Sequence, residues 1–283
     1  MSAPFVAACL QMRSTRDVAT NRDAVVAGLR EAAERGAHYV QTPEMSSLVE
    51  RERAALFEKV GPQESDVTLA AARDEARKLG LWVHLGSLAI REGDRIANRA
   101  FVVDPQGEVC ATYDKIHLFD VDLPNGETWR ESATYSGGDT STLVQTPWGV
   151  LGLAICYDLR FPYLFRAQAE AGASFISAPA CFTRQTGEAH WQVLQRARAI
   201  ETGAFMISAA QGGVHEDGRE TYGHSIIVDP WGRVLAEAGD EPGLIYASVD
   251  PALVADARGR IPTLRHTREV RVAMAQPVPR AAE

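Results

Sequence analysis

Residues 150–162 read VLGLAICYDLRFP. Apolar residues and one glycine run from Val150 to Cys156, as in a buried strand over 150–155. Residues 157–162 then read as the entry to a helix that runs from Arg160 or Phe161 through Glu170. A further apolar run at 173–177 predicts another strand, so the stretch forms a strand, an elbow, a helix and a strand. This alternation marks an α/β chain, and it puts Cys156 at the carboxyl end of a strand, where open α/β sheets place ligands.

The same alternation extends in both directions. Residues 5–10 and 39–42 read as buried strands around a helix over 18–35, in which Val18, Val25, Leu29 and Ala33 share a face. A helix near 66–79 leads into a strand at 81–89, and strands at 96–103 and 108–114 form a hairpin around Asp104-Pro105-Gln106-Gly107. Residues 116–141 are irregular and rich in Gly, Pro, Asp and Ser, which predicts a functional loop or an interface element. Beyond the strand at 143–146, a helix near 188–202 is expected to bury Val193, Leu194, Ala197 and Ile200 and to point Arg196 and Arg198 away. Strands follow at 204–209, 224–228, 233–237 and 244–249. No repeat or low-complexity linker divides the chain. One α/β domain over 1–274 with a loose tail at 275–283 is the expected organisation.

Composition removes several classes of function. In 283 residues, 29 Lys and Arg face 37 Asp and Glu, a formal net charge of −8. With 46% hydrophobic and 23% charged residues, the chain is neither disordered nor collagen-like. The acidic balance without a basic block argues against nucleic acid or an anionic membrane as partner. Cys9, Cys110, Cys156 and Cys181 are too widely spaced for a zinc ribbon or a disulfide framework, which predicts a thiol-keeping, cytoplasmic setting. The opening MSAPFVAACLQMR lacks a basic leader region and does not read as a signal peptide. The longest apolar run falls well short of the ~20 residues needed to cross a bilayer.

Three strand ends carry reactive side chains. Cys156 stands at the elbow, where a helix N-terminus and a nearby cation lower a thiol's pKa. Glu44 ends the run Tyr39-Val40-Gln41-Thr42-Pro43-Glu44, and a carboxylate beside a buried sheet edge can titrate high enough to act as acid and base. Lys115 ends another strand, with Ile116, Leu118 and Phe119 after it, which predicts partial burial against a negative partner such as Glu44. A thiol, a carboxylate and an ammonium suit amide hydrolysis: nucleophile, proton carrier and oxyanion cation. Each also has a plain structural reading, as a packed thiol, a surface acid and a solvated lysine. Cys9 and Cys110 read as packing residues inside strands, and Cys181, in Pro179-Ala180-Cys181-Phe182, as a neighbour of a pocket. His117, His190 and His224 lie near pocket edges with no readable pairing to Cys156. No two acids or histidines show metal-ligand spacing, so no metal site is expected.

At these positions the chain resembles the nitrilase superfamily of carbon–nitrogen hydrolases. The resemblance is carried by TPE at 42–44, YDKIHLFD at 113–120, GLAICYDLRFP at 152–162, AHWQVLQRARAIET at 189–202 and GHSIIVDPWG at 223–232. It implies an α-β-β-α sandwich of four layers, extended by pairing into a homodimer or larger assembly, and no metal or organic cofactor. It assigns the catalytic triad to Glu44, Lys115 and Cys156, and a second family glutamate to Glu131 in Trp129-Arg130-Glu131-Ser132. The Tyr157 N–H becomes the oxyanion donor, and Arg160, Phe182, Thr183 and Arg184 become substrate-binding candidates. Within the superfamily, residues 189–202 and 222–232 resemble the Nit branch, whose members cleave small carboxamides of 2-oxo acids to acid and ammonia through a cysteine thioester. Met206–Gly213 points to the deaminated glutathione amidases before the ω-amidases that act on 2-oxoglutaramate. Both substrates are anions, so cations are expected in the pocket; Arg160, Arg184 and Arg198 lie nearest in sequence. N-carbamoyl hydrolysis and a non-catalytic binding role remain the alternatives.

Overall fold

The computed structural model describes residues 3–275. Of the tail expected at 275–283, all but Ala275 lies outside the described residues. The first half of the chain comprises β1 (Phe5–Gln11), α1 (Val18–Glu34), β2 (Tyr39–Gln41), α2 (Arg53–Lys59), α3 (Val67–Leu79), β3 (Trp82–Glu92), β4 (Arg95–Val103) and β5 (Val109–Asp114). A small hairpin of β6 (Asp120–Asp122) and β7 (Thr128–Arg130) follows, then β8 (Tyr135–Ser136). The second half begins with β9 (Leu143–Thr146), β10 (Gly149–Leu153), α4 (Pro162–Glu170), β11 (Ala173–Ser177), α5 (Arg184–Thr202) and β12 (Phe205–Ser208). It ends with β13 (Gly212–Val214), β14 (Glu220–Tyr222), β15 (Ile226–Val228), β16 (Val234–Glu237), β17 (Gly243–Val249) and α6 (Ala252–Arg260).

Two mixed sheets lie face to face. One has the order β17-β1-β2-β3-β4-β5, with β8 paired to β4; the other has the order β16-β15-β12-β11-β10-β9. Phe5, Ala7, Tyr39 and Val102 of the first sheet share a buried core with Leu151, Phe175, Phe205 and Ile227 of the second. On the outer face of the first sheet, Val25 and Leu29 of α1 and Leu69 and Ala72 of α3 cover Ala8, Val40 and Val83. α4 and α5 cover the second sheet. The layers are therefore helix, sheet, sheet, helix, as the resemblance implies. Local signals set the helix ends. The Asp66 carboxylate accepts the Thr68 and Leu69 N–H groups at 2.9 and 2.8 Å to start α3, and Gly80, at φ 68°, ends it.

Several expectations need correction. The helix expected from Arg160 or Phe161 splits in two: a 3₁₀ turn at Cys156–Arg160, then α4 with Pro162 in its first turn. α5 starts a turn earlier than expected, and its buried face is rotated. Trp191, Gln195, Arg198 and Ala199 point inward, whereas Val193 and Ile200 are exposed. The polar residues are bonded at most of their groups, with Gln195 Nε2 left without a partner among the described residues. Ser208 Oγ donates to Gln195 Oε1 at 2.9 Å, and Arg198 donates to the Leu159 carbonyl at 3.0 Å and to Glu201 at 2.9 Å. Cys110 sits on β5 as expected but faces out, because that strand ends its sheet and alternates its side chains. The irregular 116–141 stretch holds β6, β7, a 3₁₀ turn at Glu131–Ala133 and β8. α2, the β13–β14 hairpin and α6 carry no strong periodic signal and were not expected. Among the described residues no helix is long and apolar enough to cross a membrane.

One glycine lets the backbone of the two sheets approach closely beside Glu44. Gly86 lies where β3 bulges between Leu85 and Leu88, and a Cβ there would stand 2.1 Å from the Thr42 carbonyl oxygen and 2.6 Å from Pro179 Cβ. Gly86→Ala is expected to lower stability by about 1–3 kcal/mol and to displace the turn that carries Glu44. An unchanged denaturation midpoint would show that this backbone can yield at no cost.

Candidate active site

Glu44, Lys115 and Cys156 follow the carboxyl ends of β2, β5 and β10, two on one sheet and one on the other. The turn after β2 is pinned from both sides. Ser46 Oγ donates to the Pro43 carbonyl at 2.6 Å, and Gln211 Nε2 donates to the Glu44 carbonyl at 3.0 Å. Lys115 N–H donates to the Asn98 carbonyl at 3.0 Å, which fixes the lysine to β4. Cys156 takes φ 50°, a left-handed conformation that costs a residue with a Cβ about 1–3 kcal/mol and persists where its surroundings enforce it. Here its N–H donates to the Pro179 carbonyl at 2.9 Å. The buried Asp158 carboxylate ties down the same turn, accepting the Ile155 N–H at 2.8 Å and the Tyr113 hydroxyl at 2.7 Å. The Tyr157 N–H has no backbone partner among the described residues.

The side chains converge. Lys115 Nζ lies 2.9 Å from Glu44 Oε1 and 2.8 Å from Glu131 Oε2. Asn98 Nδ2 donates to Glu44 Oε1 at 2.9 Å and to Glu131 Oε1 at 3.1 Å, so one amide and one ammonium hold both glutamates. The second oxygens are occupied too: the Cys181 N–H donates to Glu44 Oε2 at 2.8 Å, and the Phe119 N–H to Glu131 Oε2 at 2.6 Å. The Cys156 thiol lines the same cavity and lies close enough to Glu44 to feel its charge. Glu44 and Lys115 are only 3% and 2% exposed, so these interactions are little screened.

The electrostatics differ from the sequence-based expectation of a depressed thiol pKa and an elevated glutamate pKa. Burial pushes the Glu44 carboxyl up, but the Lys115 charge, the neighbouring Cys156 thiol and hydrogen bonds from Lys115 and Asn98 outweigh it and hold the group below its usual value. Burial pushes the Lys115 ammonium down, yet the Glu131 and Glu44 charges keep it well above the ordinary lysine value. Burial and then the Glu44 charge raise the Cys156 thiol well above its ordinary value, with only partial relief from Lys115. The resting site is thus a neutral thiol against an ionised carboxylate. Such a pair loses its proton to the base during attack instead of storing a thiolate.

These residues floor a cavity of about 230 Å³, lined also by Tyr157, Arg160, Phe182 and Thr183. Arg184 does not line it. As the exposed first residue of α5 it faces solvent, because Thr183 and Thr186 turn the buried side of that helix toward the cavity. Arg198 is committed to Leu159 and Glu201. Sequence reasoning missed Asn98, Trp129, Arg51 and Arg219, all but the first of which line the cavity. Asn98 alternates with Ile96 and Ala100 along β4, and a polar residue on that apolar face is a signal that could have singled it out; Arg219 sits in a stretch that reads as a plain loop. His117 bonds Asp158 at 2.6 Å and stacks on Phe161. No group of three or more His, Cys, Asp or Glu among the described residues is arranged to hold a metal ion.

A family model described as carbon–nitrogen hydrolase matches residues 6–259. A deaminated glutathione amidase of Yersinia enterocolitica is 41% identical over 240 residues, 83% of each chain. A human protein of the same name is 40% identical over 271 residues, 94% of this chain and 82% of that one. The crystal structure of the C. elegans NitFhit protein superimposes with a TM-score of 0.89 at 34% identity and covers 95% of this chain. The chain spans 66% of that protein's length.

Proposed function

Since the chain belongs to the carbon–nitrogen hydrolase family, we propose that its Glu44–Lys115–Cys156 cavity cleaves an amide through a cysteine thioester. The observation that carries this reading is a buried thiol that shares one cavity with an ionised glutamate, itself held at 2.9 Å by an ammonium. Cys156 Sγ attacks the amide carbonyl as Glu44 takes its proton. The negative oxygen is held by Lys115 Nζ and the unpaired Tyr157 N–H. As the C–N bond breaks, Glu44 passes that proton to the leaving nitrogen, and an acyl thioester remains on sulfur. Water then adds to the thioester carbonyl while Glu44 takes a proton from it. Collapse breaks the C–S bond, returns the proton to sulfur and frees the carboxylic acid. Glu131 touches Lys115 and Asn98 and orients them; we give it this supporting role.

For the substrate we propose deaminated glutathione, the molecule in the names of the relatives matched over most of the chain. It carries the 2-oxo acid end of 2-oxoglutarate in amide linkage to cysteinylglycine. Cleavage therefore releases a peptide amine, and ammonia leaves only from a primary amide such as 2-oxoglutaramate. Both substrates pass through the same 2-oxoglutaryl thioester and differ only in what departs. Release of 2-oxoglutarate from each, read with a coupled dehydrogenase, separates the two readings. A higher kcat/KM for deaminated glutathione is expected, and a higher value for 2-oxoglutaramate would make the enzyme an ω-amidase.

The same reading takes residues 1–274 as one catalytic domain working in a thiol-keeping cytoplasm, in line with four free cysteines. It also takes the chain as a homodimer or larger homo-oligomer. Tyr163 on α4 and Val193 and Ile200 on α5 support pairing, being large apolar side chains left 55–66% exposed.

A further inference from the structure

Arg219 is the least expected cation in the cavity. It follows the turn His215–Gly218, and its guanidinium lies over the Trp129 ring, 4.5 Å from the centroid. Its Nε is sealed from solvent and has no hydrogen-bond partner, and the same holds for Trp129 Nε1. Its one side-chain hydrogen bond is to the soft Cys181 sulfur, at 3.5 Å from Nη1. Asp217 accepts the Arg219 backbone N–H at 2.9 Å, but among the described residues no carboxylate lies within salt-bridge distance of the guanidinium. The other cations near the site are differently engaged. Arg160 contacts His190 at 3.1 Å and lies over Phe182, and Arg51, also over Trp129 at 4.6 Å, is exposed at the mouth.

A cation that feels Asp217 only at a distance and makes no ion pair, with its own Nε–H and the neighbouring Trp129 Nε1–H lacking acceptors, is costly in the empty protein. A carboxylate supplies the missing charge and the missing acceptors together. The acyl half of the substrate stays on sulfur through both chemical steps while the amine leaves by the mouth. The half-buried Arg219 is therefore best matched by the half that stays, and the exposed Arg51 by the half that departs. We propose, on the amide-hydrolase reading of the same cavity, that Arg219, braced by Trp129, binds the carboxylate of an anionic acyl group. On this proposal Arg219 is the residue that makes the enzyme selective for amides of dicarboxylic acids.

The test compares 2-oxoglutaramate with 4-oxopentanamide, in which a methyl group replaces the carboxylate, in wild type, Arg219→Met and Arg219→Lys. In Arg219→Met the preference for the anionic amide should fall ~100-fold, mostly through KM, with partial recovery in Arg219→Lys. A preference within about threefold of wild type in Arg219→Met overturns the proposal, since loss of a charge-assisted contact costs far more than that. Calorimetric binding of 2-oxoglutarate to the same full-length proteins needs no turnover. If wild type hydrolyses neither amide but binds 2-oxoglutarate, and Arg219→Met does not, the catalytic reading fails and the anion site stands. Equal binding by both proteins removes the anion site whatever the kinetics show. The melting temperature of Arg219→Met should stay at or above that of wild type, because a half-buried charge without an ion-pair partner is being removed.

Discussion

Cys156→Ala is expected to leave a folded protein whose amide turnover has dropped by at least about 10⁴-fold, as for loss of a covalent nucleophile. The substitution removes the only atom that can form the thioester. It keeps the Cβ, so the strained left-handed backbone at φ 50° and its hydrogen bond to Pro179 are retained. The remaining constellation of Lys115, Glu44 and the Tyr157 N–H can still bind and polarise an amide, which is why residual activity should be small but measurable. The measurement is kcat on 2-oxoglutaramate, together with mass spectrometry of acid-quenched wild type, in which a 2-oxoglutaryl adduct should map to Cys156. Turnover within about tenfold of wild type in the alanine variant would sink the covalent mechanism, because no other thiol is placed to substitute. Cys181 comes nearest, and its own thiol is pushed up to about 11, chiefly by burial.

Glu44→Gln should be nearly as damaging, lowering kcat by about 10³–10⁴-fold. In the proposed cycle Glu44 receives the thiol proton, delivers it to the leaving nitrogen and then activates water, so its loss would affect every step. The amide isostere can still accept a hydrogen bond from Asn98 or Lys115, which limits collapse of the site. The variant has a second signature that separates chemistry from misfolding. The Glu44 charge is one of the causes that raise the Cys156 thiol, so its removal should lower the thiol pKa. Alkylation of Cys156 by iodoacetamide should then begin at lower pH in Glu44→Gln than in wild type, even as turnover is lost. The pH profile of wild-type kcat/KM has a matching sign. Glu44 acts as its ionised form, and its pKa is held below 4.5, so activity should be lost only as pH falls through that lowered value. A plateau from pH 5 upward is the expected result of these directions, with ~4.3 as the unperturbed glutamate reference. A major acid limb near pH ~6.5, where free histidine titrates, would show that some other group is the base.

Much of the scaffold was legible because it rests on short-range rules. The apolar runs at 5–10, 81–89 and 150–155 became strands within a few residues, and Asp66 and Gly80 mark the ends of α3. The errors fall where tertiary contacts override pattern. α5 presents Val193 and Ile200 outward and buries Gln195 and Arg198, an inversion supported by Ser208 on Gln195 Oε1 and by Leu159 and Glu201 on Arg198. The 116–141 stretch showed no periodicity, yet it delivers Glu131 to Lys115 through a hairpin whose strands are three residues each. Segments so short carry too few residues for alternation to be visible.

The residue types and their positions at strand ends were a property of the sequence by itself. A carboxylate after 39–42, a lysine after 108–114 and a cysteine after 150–155 are local facts, set by where apolar runs stop. Their charge states belonged to the folded molecule alone. A thiol that the elbow suggested would ionise stays protonated, because packing two sheets against each other strips its water and sets a glutamate beside it. The same holds for Asn98 and Arg219, whose partners lie 33 to 54 positions away for the first and 38 for the second contact. Desolvation and Coulomb energy depend on distance in space and on what fills it, and neither can be read from the order of residues along a chain.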